Sequence, residues 1–160
     1  MNWTEISPWL AARLPTNGPG AAVLVRKGDQ VLARTAYGMA DLATGAPLTP
    51  EHRFHIASIG KQLTCLAIMR LKEEGRLDYD DFIGRYVPQL AHLDQGVTIR
   101  RLMHHTAGIS DYYEDEALMA RLLARSTRPD NQDGLALLAE IDGQDDRPGH
   151  RFRYSNTGYE

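Results

Sequence analysis

Cys65 is the only cysteine in the chain, so an intrachain disulfide framework is excluded and the fold must be held by packing. It lies in an apolar run, Leu63-Thr64-Cys65-Leu66-Ala67-Ile68-Met69, which predicts burial as a small hydrophobe and argues against redox chemistry. Met1 to Leu10 lacks a basic segment leading into a long apolar run, and no later stretch is long and apolar enough to span a bilayer. The expectation is therefore a cytoplasmic protein with no membrane partner. Net charge is only −3, which creates no field to draw nucleic acid. Internal repeats and low-complexity tracts are also missing. What is present is ordinary globular composition, 42% hydrophobic and 24% charged over 160 residues. A chain of this size fits one domain and buries roughly 70% of its unfolded surface.

Ala21 to Arg26 and Val31 to Tyr37 are rich in apolar and β-branched residues and flank a turn at Gly28-Asp29-Gln30, which predicts a β-hairpin. Gly38 to Pro50 carries Gly38, Gly45, Pro47 and Pro50 among polar residues and reads as a connecting loop. From Ser58 the spacing of Leu63, Leu66, Ala67, Met69 and Leu71 predicts a largely buried helix ending near Gly75, with Ser58 in its first turn. Asp78 to Leu90 reads as helical or irregular, and Val97 to Met103 as a short helix capped by Thr98. Glu114 to Ser126 and Asn131 to Ile141 read as further helices, and Gly143 to Gly149 as a polar loop. Early strands followed by helices predict an α+β fold with helices packed on an antiparallel sheet. Two strands leave open edges, so further strands are expected from later sequence or from another chain.

The chemistry is concentrated in Ser58-Ile59-Gly60-Lys61 and Tyr154-Ser155-Asn156. Residues three apart on a helix share a face, so the Lys61 amine can reach the Ser58 hydroxyl and activate it as a nucleophile. The helix N-terminus adds positive potential, and the Ser58 N–H is available as one oxyanion donor. Taken alone, Ser-x-x-Lys is a weak pattern, and Ser58 as a helix cap beside a solvated Lys61 is the ordinary alternative. Tyr154 supplies a phenol that Lys61 can hold as a proton acceptor or relay. Asn156, two residues on and on the same side of an extended segment, can bond both Lys61 and a substrate carbonyl.

These segments resemble the first two motifs of the class C β-lactamase-like serine hydrolases, a superfamily that includes β-lactamases, DD-peptidases and β-lactamase-fold esterases. Leu102-Met103-His104-His105-Thr106-Ala107-Gly108-Ile109 is similar to the family's Leu-x-x-His-Thr-Ser-Gly-Ile segment, with Ala107 for serine. Pro148-Gly149 then leads to Phe152-x-Tyr154-Ser155-Asn156-x-Gly158-Tyr159, and the likeness covers residues 20 to 160. It implies catalytic Ser58, Lys61 and Tyr154, with Ser58 forming an acyl-enzyme and the other two sharing acid and base work. It implies substrate binding by Asn156, a small ester, amide or β-lactam substrate, and no cofactor. The family's third motif, Lys-Thr-Gly or His-x-Gly on a strand, is absent. The expectation is a single partial domain over residues 1–160, lacking the C-terminal strands and weakly active alone.

Other readings carry less. His52 with His55, and His104 with His105, lack a carboxylate or cysteine placed to complete a zinc site, and His105 reads as a structural hydrogen-bonding residue beside Gly108. Ile56-Ala57-Ser58-Ile59-Gly60 lacks the first glycine of an α/β-hydrolase nucleophile elbow. Asp111 to Glu116 reads as an acidic surface patch. A peptidoglycan substrate requires export, which the N-terminal sequence argues against. The rival to an enzyme is a non-catalytic remnant that binds a partner or self-associates through an exposed sheet edge.

Overall fold

The computed structural model describes residues 5–93, 96–140 and 146–160. Ile141 and Gly143 to Asp145, the ends of a predicted helix and the start of a predicted loop, lie outside the described residues, as do Met1 to Thr4. The chain divides into two compact units, Met1–Ile56 and Ala57–Glu160.

In the first unit, helix α1 (Ile6–Ala11) precedes strands β1 (Ala21–Lys27) and β2 (Gln30–Tyr37). The strands pair antiparallel with Ala21 opposite Tyr37 and a bulge at Val25/Arg26. Helix α1 lies on β2, where the Ser7 and Thr35 hydroxyls meet at 2.7 Å. Gly38 to Pro50 is not all loop. Within it β3 (Met39–Asp41) and β4 (Ala46–Pro47) form a second small antiparallel ribbon. The Asp41 carboxylate builds the turn by accepting from the main-chain N–H of Ala43 at 2.8 Å and of Thr44 at 3.1 Å. Such an Asx turn lets a polar, Gly-containing stretch reverse direction inside a ribbon. Among the described residues, each sheet has two strands, so the fold is the mixed helix and antiparallel-sheet arrangement that the sequence predicts.

The second unit opens with a 3₁₀ turn, Ala57–Ile59, that runs into α2 (Gly60–Glu73). Ser58 thus sits in the turn before the helix. Contrary to expectation, α2 buries none of its residues, and Leu63, Leu66 and Met69 are 57%, 61% and 45% exposed. An apolar stripe records a need for cover, and among the described residues of the second unit nothing buries it. Cys65 on the same helix is half-buried rather than enclosed, with its Sγ 3.1 Å from the Tyr159 hydroxyl. Asp78 to Leu90 is irregular, with 3₁₀ turns at Ile83–Arg85 and Pro88–Leu93.

Helices α3 (Ile99–Met103), α4 (Glu116–Arg125) and α5 (Asn131–Ala139) follow, each started by a cap. Thr98 Oγ1 accepts from Arg101 N–H at 3.3 Å, and Asp115 Oδ1 from Ala117 and Leu118 N–H at 2.9 and 3.0 Å. Asp130 and Asp133 form a reciprocal capping box on α5, and caps of this kind each contribute about 1 kcal/mol. The core beneath them holds Leu93, Val97, Tyr112, Leu122, Leu137 and Leu138, all under 5% exposed. Burial of each such aliphatic side chain is worth about 1.5–3 kcal/mol. Gly134 inside α5 is required by this core, because a Cβ there would stand 2.6 Å from the buried Tyr112 hydroxyl. No described helix is long and apolar enough to cross a membrane.

Candidate active site

The second unit brings Ser58, Lys61, Tyr154 and Asn156 into one hydrogen-bonded cluster. Ala57, just before the serine, takes a left-handed φ of 44°, a conformation that costs a side-chain-bearing residue about 1–3 kcal/mol and is typical of functional turns. The Ser58 hydroxyl does not cap α2, whose N-cap position is Ile59 with no side-chain bond. It is exposed and accepts from Lys61 Nζ at 3.3 Å and from the Tyr154 hydroxyl at 2.7 Å. Lys61 also donates to Asn156 Oδ1 at 2.9 Å. Its ammonium stands 4.9 Å from the centre of the Tyr154 ring and 5.6 Å from that of Tyr159.

Two chain segments laid side by side position the phenol and the amide. After α3 the backbone turns at His105 (φ 56°) and Gly108 (φ 73°). A side chain at Gly108 would also collide with the Asp146 carbonyl. The returning segment is pinned to this turn by Gly149 N–H to the Thr106 carbonyl and Arg153 N–H to the His105 carbonyl, both 2.8 Å. Residues 151–155 carry no helix or strand and lead to Asn156 (φ −74°, ψ −44°), the N-cap of the 3₁₀ turn Thr157–Tyr159. Tyr154 and Asn156 both meet the Ser58–Lys61 pair, and Ser155 between them is buried, its Oγ accepting from Gly158 N–H at 3.2 Å.

His105 supports the phenol from beneath. Its imidazole stacks on the Tyr154 ring at 4.5 Å and lies 5.0 Å from the Tyr159 ring, while its Nδ1 accepts from Ser155 N–H at 3.1 Å. Burial, and then the charge of Lys61, hold this imidazole below its ordinary value near 6.5. The neutral form with an open Nδ1 is the one the site uses. The folded value lies below the unfolded one, so this contribution is complete above about pH 6.5 and is lost as pH falls through the folded value. His105→Gln is expected to flatten the pH dependence of urea unfolding between about pH 7 and about pH 5. Parallel curves for the variant and the parent protein would remove His105 as the source.

Tyr154 is held below its ordinary value near 10, first by Lys61 beside it and then by the Ser58 hydroxyl. Tyr159 moves the other way, pushed up by burial and by its contact with Cys65, and its hydroxyl donates to the Met103 carbonyl at 2.7 Å. The pKa values of two neighbouring phenols are thus shifted in opposite directions.

Asp111 is the site residue that sequence reasoning misplaced. It is 4% exposed, not part of a surface patch, and neighbouring Tyr112 is 1% exposed. Its carboxylate accepts from the Asn156 main-chain N–H at 2.8 Å, from Asn156 Nδ2 at 3.2 Å and from Thr157 Oγ1 at 3.3 Å. The only available signal was position: Ser110-Asp111 directly follows the Gly108-Ile109 turn. His52 closes a turn, with its Nδ1 accepting from Thr49 N–H at 3.0 Å. No three or more His, Cys, Asp or Glu side chains among the described residues converge as a metal-binding group.

A hydroxyl, an amine, a phenol and an amide thus meet in one cluster. Residues 10–160 match the family model described as Beta-lactamase, and the chain belongs to that family. It is 34% identical over 142 residues to penicillin-binding protein 4* of Bacillus subtilis (strain 168), covering 86% of this chain but 30% of that protein. Among solved structures, EstCE1, a hydrolase with promiscuous acyltransferase activity, superposes with a TM-score of 0.75 at 27% identity, over 98% of this chain and 43% of that one. The D-amino acid amidase from Ochrobactrum anthropi SV3 complexed with L-phenylalanine gives 0.68 at 26% identity, over 88% and 37%. The chain therefore spans well under half the length of these relatives.

Proposed function

We propose that this chain carries the nucleophile of a serine hydrolase that opens a small ester or amide, a β-lactam or D-amino-acid peptide included, through a Ser58 acyl-enzyme. The observation that carries this reading is that Ser58 Oγ meets both Tyr154 and Lys61. Oγ attacks the acyl carbon as its proton passes to the ionised Tyr154, the nearer group and the one with the depressed pKa. Lys61 stabilises the phenolate, and Asn156 holds Lys61 and the substrate carbonyl. The proton then goes to the departing alkoxide or amine as the C–O or C–N bond breaks, and water releases the acid in a mirror-image second step. Family membership and the acyl-transfer activities named for the relatives support the reaction class. The family match runs through both units, which supports treating residues 1–160 as one part of a single domain.

The test is exposure of the folded chain to a fluorophosphonate, followed by peptide mass spectrometry. One adduct, mapped to Ser58, is the expected result. An adduct elsewhere, or none, would overturn the reading. It would favour the second one, a non-enzymatic binding protein, for which the observation is the exposed Leu63, Leu66 and Met69 of α2.

A further inference from the structure

We infer that Asp111 is a positioning residue: by fixing the orientation of the Asn156 amide it sets where Lys61 stands beside Ser58. The inference rests on the serine chemistry proposed above. A carboxylate only accepts hydrogen bonds and an ammonium only donates them. Asn156 lies between one of each, with Nδ2 on Asp111 at 3.2 Å and Oδ1 on Lys61 Nζ at 2.9 Å. Only one of its two amide orientations satisfies both neighbours. The flipped amide would set its NH₂ against the ammonium and its oxygen against the carboxylate.

The donor set around Asp111 explains why the position needs a carboxylate rather than an amide. Oδ2 takes the main-chain and side-chain N–H groups of Asn156, and Oδ1 takes the Thr157 hydroxyl and the Tyr113 N–H at 3.2 Å. All of these partners donate. Asparagine at 111 has the same shape, but it turns an NH₂ toward donors on one side and leaves a buried mismatch there. With Asp111 buried, water cannot substitute for the lost acceptor. The chain of dependence runs from Asp111 through the Asn156 amide and the Lys61 ammonium to Ser58 Oγ.

The experiment is a double-variant cycle on the rate of fluorophosphonate labelling at Ser58, with Asp111→Asn, Asn156→Ala and both together. Asp111→Asn is expected to slow labelling about a hundredfold, the order of loss for a misplaced group next to the chemistry. In the Asn156→Ala background it is expected to add less than about threefold. Full multiplication of the two single effects would overturn the inference, because Asp111 would then act independently of Asn156. A second measurement needs neither labelling nor a folded variant: the ¹⁵N-resolved side-chain amide of Asn156 in the unaltered chain. One Nδ2 proton shifted downfield and slow to exchange supports the Asp111 bond, while two protons exchanging like those of a solvent-exposed asparagine overturn it. If the unaltered chain takes no label, the Ser58 reading fails, and the amide resonance still decides the role of Asp111.

Discussion

Ser58→Ala is expected to reduce fluorophosphonate labelling and aryl-ester hydrolysis to the level of heat-denatured protein. The loss is of the whole Ser58-dependent signal, however small that signal is in the partial chain, as for removal of other serine nucleophiles. The size follows from covalency. In the reading proposed above the acyl bond forms on Ser58 Oγ, while Lys61 donates to Asn156 and Tyr154 points its hydroxyl at the serine. Stability should hardly move. The Ser58 hydroxyl is exposed and caps nothing, Lys61 keeps its bond to Asn156 Oδ1, and the Tyr154 hydroxyl turns to solvent. Substitutions at such surface positions usually change stability by less than about 0.5 kcal/mol. Intact-mass spectrometry and thermal unfolding on the same samples separate the two effects. Turnover that persists in a folded Ser58→Ala chain would show that the serine is not the nucleophile.

That the four candidate residues cluster was largely legible because their spacing is local within each segment. Ser58 and Lys61 are three residues apart across the junction of the 3₁₀ turn with α2, and Tyr154 and Asn156 are two apart, although Asn156 has left the extended region that the sequence predicts. The turn strain at Ala57 and the pinned pair of segments then close the gap between them. The hairpin and the Thr98 cap were readable for the same reason, since each depends on a few adjacent residues. Asp111 was not. It opens an acidic run that continues through Glu114, Asp115 and Glu116, and composition alone assigns such a run to solvent. The structure splits it: Asp111 turns inward to four donors, and Asp115 caps α4. Pairing with residues some forty-five positions away decides that split, and no local pattern carries the information.

Helix α2 shows the opposite limit. Its apolar spacing correctly gave a helix but not its surroundings, since the stripe of Leu63, Leu66 and Met69 stands exposed. Periodicity reports which face a helix prefers to bury, whereas coverage depends on what packs there. Likewise the Gly- and Pro-rich stretch from Gly38 to Pro50 hid the β3–β4 ribbon, because a ribbon of this length is held by the Asp41 turn rather than by strand propensity. Cys65 was placed by its apolar neighbours, yet its sulfur faces the Tyr159 hydroxyl. For α2 and Cys65 the apolar character was read correctly and the neighbours were not, whereas the ribbon was read as loop although its turn is local.

Tyr154→Phe is expected to slow Ser58 labelling by about 10²–10⁴-fold, the range for losing a positioned general base. The change is confined to one oxygen, because the ring keeps its stack on His105 at 4.5 Å. The pH dependence identifies the role. In the proposed mechanism the phenolate takes the serine proton, so the rate is expected to rise with pH and level off above the Tyr154 pKa. Since Lys61 and Ser58 depress that pKa, the rise should fall below the ordinary tyrosine value near 10. It should vanish in Tyr154→Phe. In Lys61→Met the rise should persist but move back toward higher pH, because the largest source of the depression is gone. These variants also divide the amine from the phenol as acceptor of the serine proton. A Tyr154→Phe chain that keeps both its rate and its alkaline rise would assign that proton to Lys61 and leave Tyr154 as a donor that only orients Ser58 Oγ.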